Sequence, residues 1–215
     1  MGVGNRRQRE REERRSDILD VAERIFADRG FAATTMGQVA AGVELSKGTL
    51  YLYFTSKDEL YVATCLRFLG RLIERYEAVA SATASGLETL RALGNTYVEF
   101  ARDNRDHFRL GVSWMLTDFK IDPETRNYAD YRSLIQRLFG ITYETIEIGK
   151  SDGSIRRDLD SRTFAFQTWG GTLGMLLLSL NREEIVSRVQ QEIDFDELVP
   201  SFIDRMMDSI KGEST

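Results

Sequence analysis

Residues 30–60 read GFAATTMGQVAAGVELSKGTLYLYFTSKDEL, and the helix signals in this stretch decide how the chain folds. Thr35 and Gln38 have the spacing of a capping box, in which each side chain binds a backbone N–H of the first helical turn. Ser46 is placed to cap a second short helix, Lys47 to Leu52. The stretch therefore predicts two short helices that are joined by a tight turn.

Helices are also predicted on both sides of this pair. Upstream, from Ser16 to Arg29, apolar residues recur at helical spacing, and Gly30 follows as a stop signal. This apolar stripe consists of Ile18, Val21, Ala22, Ile25 and Phe26. Downstream, Ser56 and Glu59 form another capping box, which opens a long helix. Short capped helices with a tight turn between the second and third are typical of a helix-turn-helix unit.

The rest of the chain is also predicted to be helical. The polar stretch from Ser81 to Gly86 interrupts the pattern, and Asp122 with Pro123 is a cap followed by an N1 proline that starts a helix toward Glu147. The segment from Phe164 to Leu180 is apolar nearly all round. A final helix places apolar residues from Phe195 to Ile210 on one face. Because strand-type alternation is absent, the predicted fold class is all-α.

Composition excludes several classes of protein. The 215 residues are 42% hydrophobic and 29% charged, which is typical of a globular protein with its own core. The single cysteine, Cys65, and single histidine, His107, cannot form an intrachain disulfide or a structural zinc site, so no metal or cofactor is expected. The charged N-terminal run lacks the apolar region of a secretory signal, so a cytoplasmic protein is expected.

No membrane span or enzyme site is expected either. The segment from Phe164 to Leu180 is 17 residues long and contains three glycines, which favours a buried helix over a membrane span. His107 lacks an obvious nucleophile partner, and the P-loop-like run 148–151 has no preceding strand. Aspartates such as Asp158 and Asp160 are best explained as a turn and a helix cap.

Charge is divided unevenly along the chain. Residues 1–57 carry 10 Lys and Arg against 8 Asp and Glu, whereas residues 58–215 carry 19 against 26. The first part is therefore slightly basic and the second clearly acidic, although the net charge is −5. The difference in sign indicates different partners for the two parts.

The stretch 30–60 closely resembles the DNA-binding signature of tetracycline-repressor-like (TetR) regulators. The similarity rests on Gly-aromatic, Thr-Thr and Val-Ala, then Ser-Lys-Gly-Thr-Leu-Tyr, Tyr-Phe and Ser-Lys before an acidic pair and Leu. The resemblance implies a three-helix DNA-binding domain at residues 1–60. A helical ligand-binding and dimerisation domain is then expected at 61–215. It also implies a transcriptional regulator, not an enzyme, most simply a repressor that a small effector releases from a palindromic operator.

The first turn of the recognition helix has chemistry suited to DNA. A helix that begins at Ser46 points free N–H groups and its positive dipole end at a phosphate, and Gly48 permits a close backbone approach. Lys47 can reach guanine O6 and N7, and Thr49 offers a hydroxyl and a methyl group to base edges.

Further contacts are expected around that helix. The hydroxyls of Tyr51 and Tyr53 can donate to phosphates. The resemblance implies backbone contacts at Thr35 and Lys57, which lie at helix starts.

Two positions depart from the family pattern. The turn between the second and third helices normally carries a glycine where this chain has Glu44, so the turn is strained, shaped differently or shifted toward Gly42. A basic residue is frequent early in the family's second helix, where this chain has Gly37.

An arginine-rich arm precedes the first predicted helix. It contains Arg6, Arg7, Arg9, Arg11, Arg14 and Arg15, interleaved with glutamates. Two alternatives remain open for this arm, namely a solvated disordered tail and insertion into the minor groove beside the operator.

The acidic part of the chain is rich in aromatic residues, which leaves room for an apolar effector cavity. The candidate effector residues are Phe100, Trp114, Met115, Phe119, Tyr131, Phe139, Tyr143 and Trp169. Packing in an ordinary core is the alternative for each of them, and a constitutive DNA-binding protein without an effector is the alternative function. In the TetR family the last two long helices pair with those of a second subunit, so the resemblance also implies a homodimer.

Overall fold

The computed structural model describes residues 3–82, 85–116, 126–190 and 193–212. Its helices are α1 (Val3–Ala33), α2 (Met36–Gly42), α3 (Lys47–Tyr51), α4 (Lys57–Ala80), α5 (Gly86–Asp103), α6 (Arg105–Leu116), α7 (Arg126–Asp152), α8 (Ser161–Leu180), α9 (Arg182–Val189) and α10 (Phe195–Asp208). The described ranges contain no β-strand, and an isolated antiparallel bridge pairs Ile155 with Lys211. The all-α prediction is confirmed.

The chain forms two compact units. Unit 1 comprises Met1–Gly70 and Asp106–Arg132, and unit 2 comprises Arg71–Arg105 and Ser133–Thr215. Helix α4 contributes its first half to unit 1 and its second half to unit 2.

The core of unit 1 is built from the first four helices. The rings of Phe26 and Tyr61 meet edge to face at a centroid distance of 5.1 Å, and Phe31 lies 4.8 Å from Tyr61. Other buried members of this core are Ile18, Leu19, Ala22, Met36, Val39, Ala40, Leu50, Phe54, Leu60 and Ala63. The two short helices are thus held between α1 and α4 by apolar packing.

Helix α1 is longer than the sequence predicts, because it begins at Val3 rather than near Ser16. The arginine-rich arm is helical, so of the two alternatives that the sequence left open the disordered tail is not observed. Side-chain pairs one turn apart stabilise this solvated part, including Arg6 Nε to Glu10 Oε1 at 2.8 Å. At the other end Gly30 has the positive φ of a stop signal, +75°, but helical structure resumes and continues to Ala33.

Unit 2 is organised around α8 and α10. A Cβ atom on Gly171 would lie 2.3 Å from the ring of Phe202, so the two helices approach closely at that glycine. The predicted interruption at Ser81 to Gly86 is confirmed, since α4 ends at Ala80 and α5 begins at Gly86. Helix α9 was not predicted from the sequence, and the predicted helix start at Asp122 and Pro123 lies outside the described residues.

Candidate nucleic-acid interface

The start of α2 is fixed by local hydrogen bonds. The backbone N–H of Gln38 donates to Thr35 Oγ1 at 3.3 Å, and the backbone N–H of Thr35 donates to Gln38 Oε1 at 2.8 Å. The predicted capping box is therefore present in full. It leaves the Thr35 side chain exposed at the beginning of the helix.

The turn between α2 and α3 places a glutamate in the left-handed region. Glu44 has φ +55°, and the backbone N–H groups of Glu44 and Leu45 donate to Ala41 and Ala40 at 3.2 and 2.8 Å. Gly42 is the last residue of α2, and a Cβ atom there would lie 2.6 Å from Val21 Cγ1. The sequence left open whether this turn is strained, shaped differently or shifted toward Gly42. The positive φ lies at Glu44 itself, and Gly42 instead permits close packing of α2 on α1.

Ser46 caps α3 as predicted. Its Oγ accepts a hydrogen bond from the backbone N–H of Thr49 at 3.1 Å and lies 2.9 Å from the Thr49 hydroxyl. Gly48 is exposed, and the atom nearest to a Cβ built on it is Ser46 Oγ at 3.8 Å. The outer side of this first turn therefore consists of small polar groups and open backbone, which a DNA surface can approach.

The rest of α3 and the turn after it divide into an inner and an outer side. Leu50 and Phe54 are fully buried, whereas Tyr51 is 47% exposed and Leu52 74% exposed. Tyr53 is half-buried against the core of unit 1. The short helix thus presents Tyr51 outward on a rigid apolar base.

Lys57 holds the end of α1 and the start of α4 together. Its Nζ donates to the backbone carbonyl of Phe31 at 2.8 Å and lies 4.2 Å from the centroid of the Phe31 ring. A lysine ammonium has three donors, so a phosphate contact at this position remains compatible with that bond. The sequence did not indicate this contact, because its partner is 26 positions away.

The second capping box is shifted by one residue from the prediction. The backbone N–H of Glu59 donates to Ser56 Oγ at 3.0 Å, as expected. The Glu59 carboxylate, however, accepts from the backbone N–H and the hydroxyl of Thr55, both at 2.7 Å. The backbone N–H groups of Thr55 and Glu59 thus both have hydrogen-bond partners at the start of α4. These bonds fix the orientation of the helix that follows the recognition helix.

The helical arginine arm lies beside the recognition unit. The guanidinium of Arg15 is 4.8 Å from the centroid of the Phe54 ring, and that of Arg11 is 5.9 Å from the centroid of the Tyr53 ring. These cation–π contacts bring positive charge next to the residues that follow α3. The sequence left the place of the arm open, and minor-groove insertion stays a prediction.

Unit 2 contains a small cavity of about 50 Å³. Its lining comes from α4, α5, α7, α8 and α10, and none of the described residues that line it has a charged side chain. Trp169 hydrogen-bonds to the hydroxyl of Tyr97, while burial raises the pKa of that hydroxyl well above its usual range. Burial also raises the pKa of the neighbouring Tyr76. The lining is therefore neutral and largely apolar.

The candidate effector residues have different locations. Phe139 and Trp169 line the cavity, and Tyr143 lies next to Phe139 at a ring distance of 5.9 Å. Phe100 is buried beneath the Arg75 guanidinium and is not part of the lining. Tyr131 belongs to unit 1. Phe119 lies outside the described residues, as do the side chains of Trp114 and Met115.

The residues considered for catalysis have structural contacts instead. Asp160 Oδ1 accepts the backbone N–H of Thr163 at 2.7 Å, so this aspartate caps α8 as predicted. Lys150 lies in the last turn of α7 and pairs with Glu147 at 3.0 Å, which is unlike the lysine of a phosphate loop. Among the described residues no group of three or more His, Cys, Asp or Glu could hold a metal ion. In the same part of the chain no helix is long and apolar enough to span a membrane.

Comparison with known proteins agrees with this geometry. Residues 18–64 match the family model described as bacterial regulatory proteins, tetR family. The transcriptional repressor KstR2 of Mycobacterium tuberculosis is 29% identical over 147 residues, which cover 68% of this chain and 72% of the repressor.

Solved structures of similar proteins share the fold over nearly the whole chain. A putative transcriptional regulator from Saccharomonospora viridis, in complex with choline, has a TM-score of 0.72 at 19% identity and covers 94% of this chain and 100% of its own. The regulator FadR from Bacillus subtilis, in complex with stearoyl-CoA, has a TM-score of 0.65 at 17% identity. The match covers 91% of this chain and 98% of FadR.

Proposed function

We propose that this chain, which belongs to the TetR family of transcriptional regulators, is a homodimeric repressor that a small apolar effector releases from a palindromic operator. The observation that carries the proposal is the outer side of α3, where a capped first turn is followed by the exposed Tyr51. We further propose the functional division into residues 1–60 for DNA binding and 61–215 for effector binding and dimerisation.

The proposed DNA contacts fall into two groups. The first turn of α3, with its capped N–H groups, supplies the surface that enters the major groove. Around it, hydroxyl and ammonium groups bind the sugar-phosphate backbone and fix the register. The proposed set is Thr35, Ser46, Lys47, Gly48, Thr49, Tyr51, Tyr53 and Lys57.

Dimerisation is proposed through α8 and α10. On α8, Phe166 is 55% exposed and Leu178 is 40% exposed. A Cβ built on Gly170 or Gly174 meets no atom within 4 Å, so these glycines lie on an open side of the same helix. An exposed apolar side of this kind supports an interface with a second copy, because water contact is unfavourable for it.

A substitution that introduces a charge tests the interface. Leu178→Glu places a carboxylate at the proposed contact and should shift the protein from dimer to monomer in sedimentation equilibrium. Ile148→Glu is the matched control, because Ile148 is 58% exposed but lies on α7. The proposed interface would be contradicted if both variants dissociated to the same degree, or if both remained dimers.

The effector is proposed to bind at the cavity of unit 2. A neutral, aromatic lining suits an uncharged apolar molecule or the apolar part of a larger one. The cavity of about 50 Å³ is much smaller than the 300 Å³ or more of typical ligand sites, so helices that line it must separate to admit an effector. Such a change can alter the distance between the two recognition helices of a dimer, which must be about 34–36 Å to fit successive major grooves.

The small cavity also favours an alternative, namely a constitutive DNA-binding protein without an effector. The two functions differ in one measurable respect. Linkage requires that an effector which weakens DNA binding by some factor binds the DNA complex more weakly by the same factor. Under the alternative, a compound that stabilises the protein would leave DNA affinity unchanged.

DNA binding itself is tested by selection from a randomised duplex pool, followed by sedimentation of the complex. We expect an inverted repeat with two protein subunits bound. A stable monomer that binds a palindrome with full affinity would contradict the dimer, and a failure to enrich any sequence would contradict the operator.

Effector binding is tested by titrating apolar and aromatic compounds while following affinity for the selected DNA. Gly94→Leu is expected to abolish the response, because Gly94 lines the cavity. Gly140→Leu is the matched control on another helix, since a Cβ there meets no atom within 4 Å. A response that survives in the Gly94 variant would place the effector elsewhere.

A further inference from the structure

Gly37 is a helical glycine whose conformation does not require glycine. It is the second residue of α2, and it is absent from the residues with positive φ. Glycine is less favourable than alanine inside a helix. The reason for a glycine at this position must therefore be sought in its surroundings.

The space beside Gly37 is filled by the side chain of Lys47. A Cβ built on Gly37 would lie 2.6 Å from Lys47 Cε and 3.2 Å from Lys47 Nζ. Lys47 begins α3, so its side chain turns back over the first turn of α2. An alanine at position 37 would force the end of the lysine side chain to move.

Lys47 is also unlike the other lysines that the structure describes. Lys57 donates to a backbone carbonyl, Lys150 pairs with Glu147, and Lys211 pairs with Asp208. Among the described lysines, Lys47 is the one without a hydrogen bond or ion pair. Its ammonium is exposed and unneutralised on the surface that carries the proposed DNA contacts.

We propose that Gly37 is a positioning residue that directs Lys47 to the DNA backbone, so that Lys47 binds a phosphate and does not read a base. The proposal rests on the proposed DNA-binding function. In helix-turn-helix proteins the helix before the recognition helix crosses the sugar-phosphate backbone, and the end of the Lys47 side chain lies beside Gly37 on that helix. A compact ammonium suits a phosphate as a point charge. This assignment differs from the guanine contact that the sequence predicts.

A double-mutant cycle tests the pair. Binding of wild type, Gly37→Ala, Lys47→Ala and the double variant is measured on the selected operator and on a random-sequence duplex, at several salt concentrations. Lys47→Ala should weaken binding about tenfold on both duplexes, the order expected for one charge-assisted hydrogen bond. It should also flatten the logarithmic salt dependence by about 0.9 per lost phosphate contact.

Gly37→Ala should weaken binding in the Lys47 background and have no effect once Lys47 is alanine. Its melting temperature should not fall, because the displaced atoms are at the end of a flexible side chain. Gly140→Ala controls for the helix propensity of a glycine-to-alanine change, since it lacks neighbours within 4 Å. The selection pool is then repeated with Lys47→Ala.

Three outcomes separate the assignments. If Lys47→Ala changes the preferred sequence, Lys47 reads a base and the phosphate assignment is wrong. If Gly37→Ala weakens binding equally in both backgrounds, or in neither, Gly37 does not position Lys47. If wild type enriches no sequence and binds neither duplex, the proposed function fails, which is distinct from a failure of the pair.

Discussion

Replacement of Glu44 by glycine should stabilise the turn of the helix-turn-helix unit. Glu44 has φ +55°, a conformation in which the Cβ atom of an L-residue crowds the following carbonyl oxygen. The hydrogen bonds of this turn come from backbone N–H groups, with Leu45 N donating to Ala40 O at 2.8 Å. They do not depend on the side chain and should survive the substitution.

The expected magnitude is a difference of two opposing effects. The left-handed conformation costs a residue with a Cβ atom about 1–2 kcal/mol. Glycine also increases the conformational entropy of the unfolded chain, which lowers the free energy of unfolding by about 0.4–1 kcal/mol. The net gain in the free energy of unfolding therefore lies between about 0 and 1.6 kcal/mol. Its middle value of about 0.8 kcal/mol corresponds to roughly 2–3 °C in melting temperature for a chain of this length.

Glu44→Ala separates strain from charge. Both variants remove the carboxylate of Glu44, a residue that lines a groove together with Arg14, Asp17, Asp20 and Arg24, but only glycine removes the Cβ atom. The relevant quantity is therefore the difference between the glycine and alanine variants, measured by chemical denaturation and by hydrogen exchange of the α3 amides. Loss of the negative charge should strengthen DNA binding in both variants to the same degree.

Gln190→Gly is a comparison for Glu44→Gly, because Gln190 is the other non-glycine residue with positive φ among the described residues. Gln190 has φ +52° and ends α9, which has no buried residue. Relief of strain there should slow hydrogen exchange in α9 without raising the stability of unit 1. If Glu44→Gly is no more stable than Glu44→Ala, the assignment of backbone strain to this turn is refuted.

Other substitutions test further contacts of the described structure. Ser46→Ala removes the cap of α3 and should cost about 1 kcal/mol in unfolding free energy by denaturant titration, with weaker DNA binding. Gly171→Ala should lower the melting temperature, since its Cβ would lie 2.3 Å from the Phe202 ring and overpacking costs about 1–3 kcal/mol, whereas Gly170→Ala, with open space, should not. Burial raises the pKa of the Cys65 thiol to about 12, so alkylation at pH 8.5 should be far slower in the native than in the unfolded protein. The stability that depends on this neutral thiol should be complete below the ordinary pKa of 9.0 and be lost as the pH rises toward 12. Rapid native alkylation would contradict the burial of this thiol.

The sequence by itself determined the local framework of the DNA-binding unit. Thr35 and Ser46 cap their helices as predicted, because each cap joins groups only three residues apart and its geometry follows from the chain. For the turn at Glu44 the sequence left three alternatives open, and the structure has a positive φ at Glu44 in a turn set by hydrogen bonds within a few residues. Apolar periodicity likewise predicted the all-α fold.

The tertiary structure decided the features that join distant residues. The bond from Lys57 to the Phe31 carbonyl and the place of Lys47 over Gly37 depend on how neighbouring helices pack. The cavity is lined from helices far apart in sequence, so composition could suggest aromatic residues without saying which ones meet.

The N-terminal extension of α1 escaped prediction for a related reason. Its contacts are solvated charge pairs, such as Arg6 with Glu10, and the aromatic rings beneath Arg11 and Arg15. Apolar periodicity detects only helices that bury an apolar face, and the sequence of this segment has none. Local hydrogen bonds can therefore be predicted from the sequence, whereas contacts between helices form only once the hydrophobic core has brought those helices together.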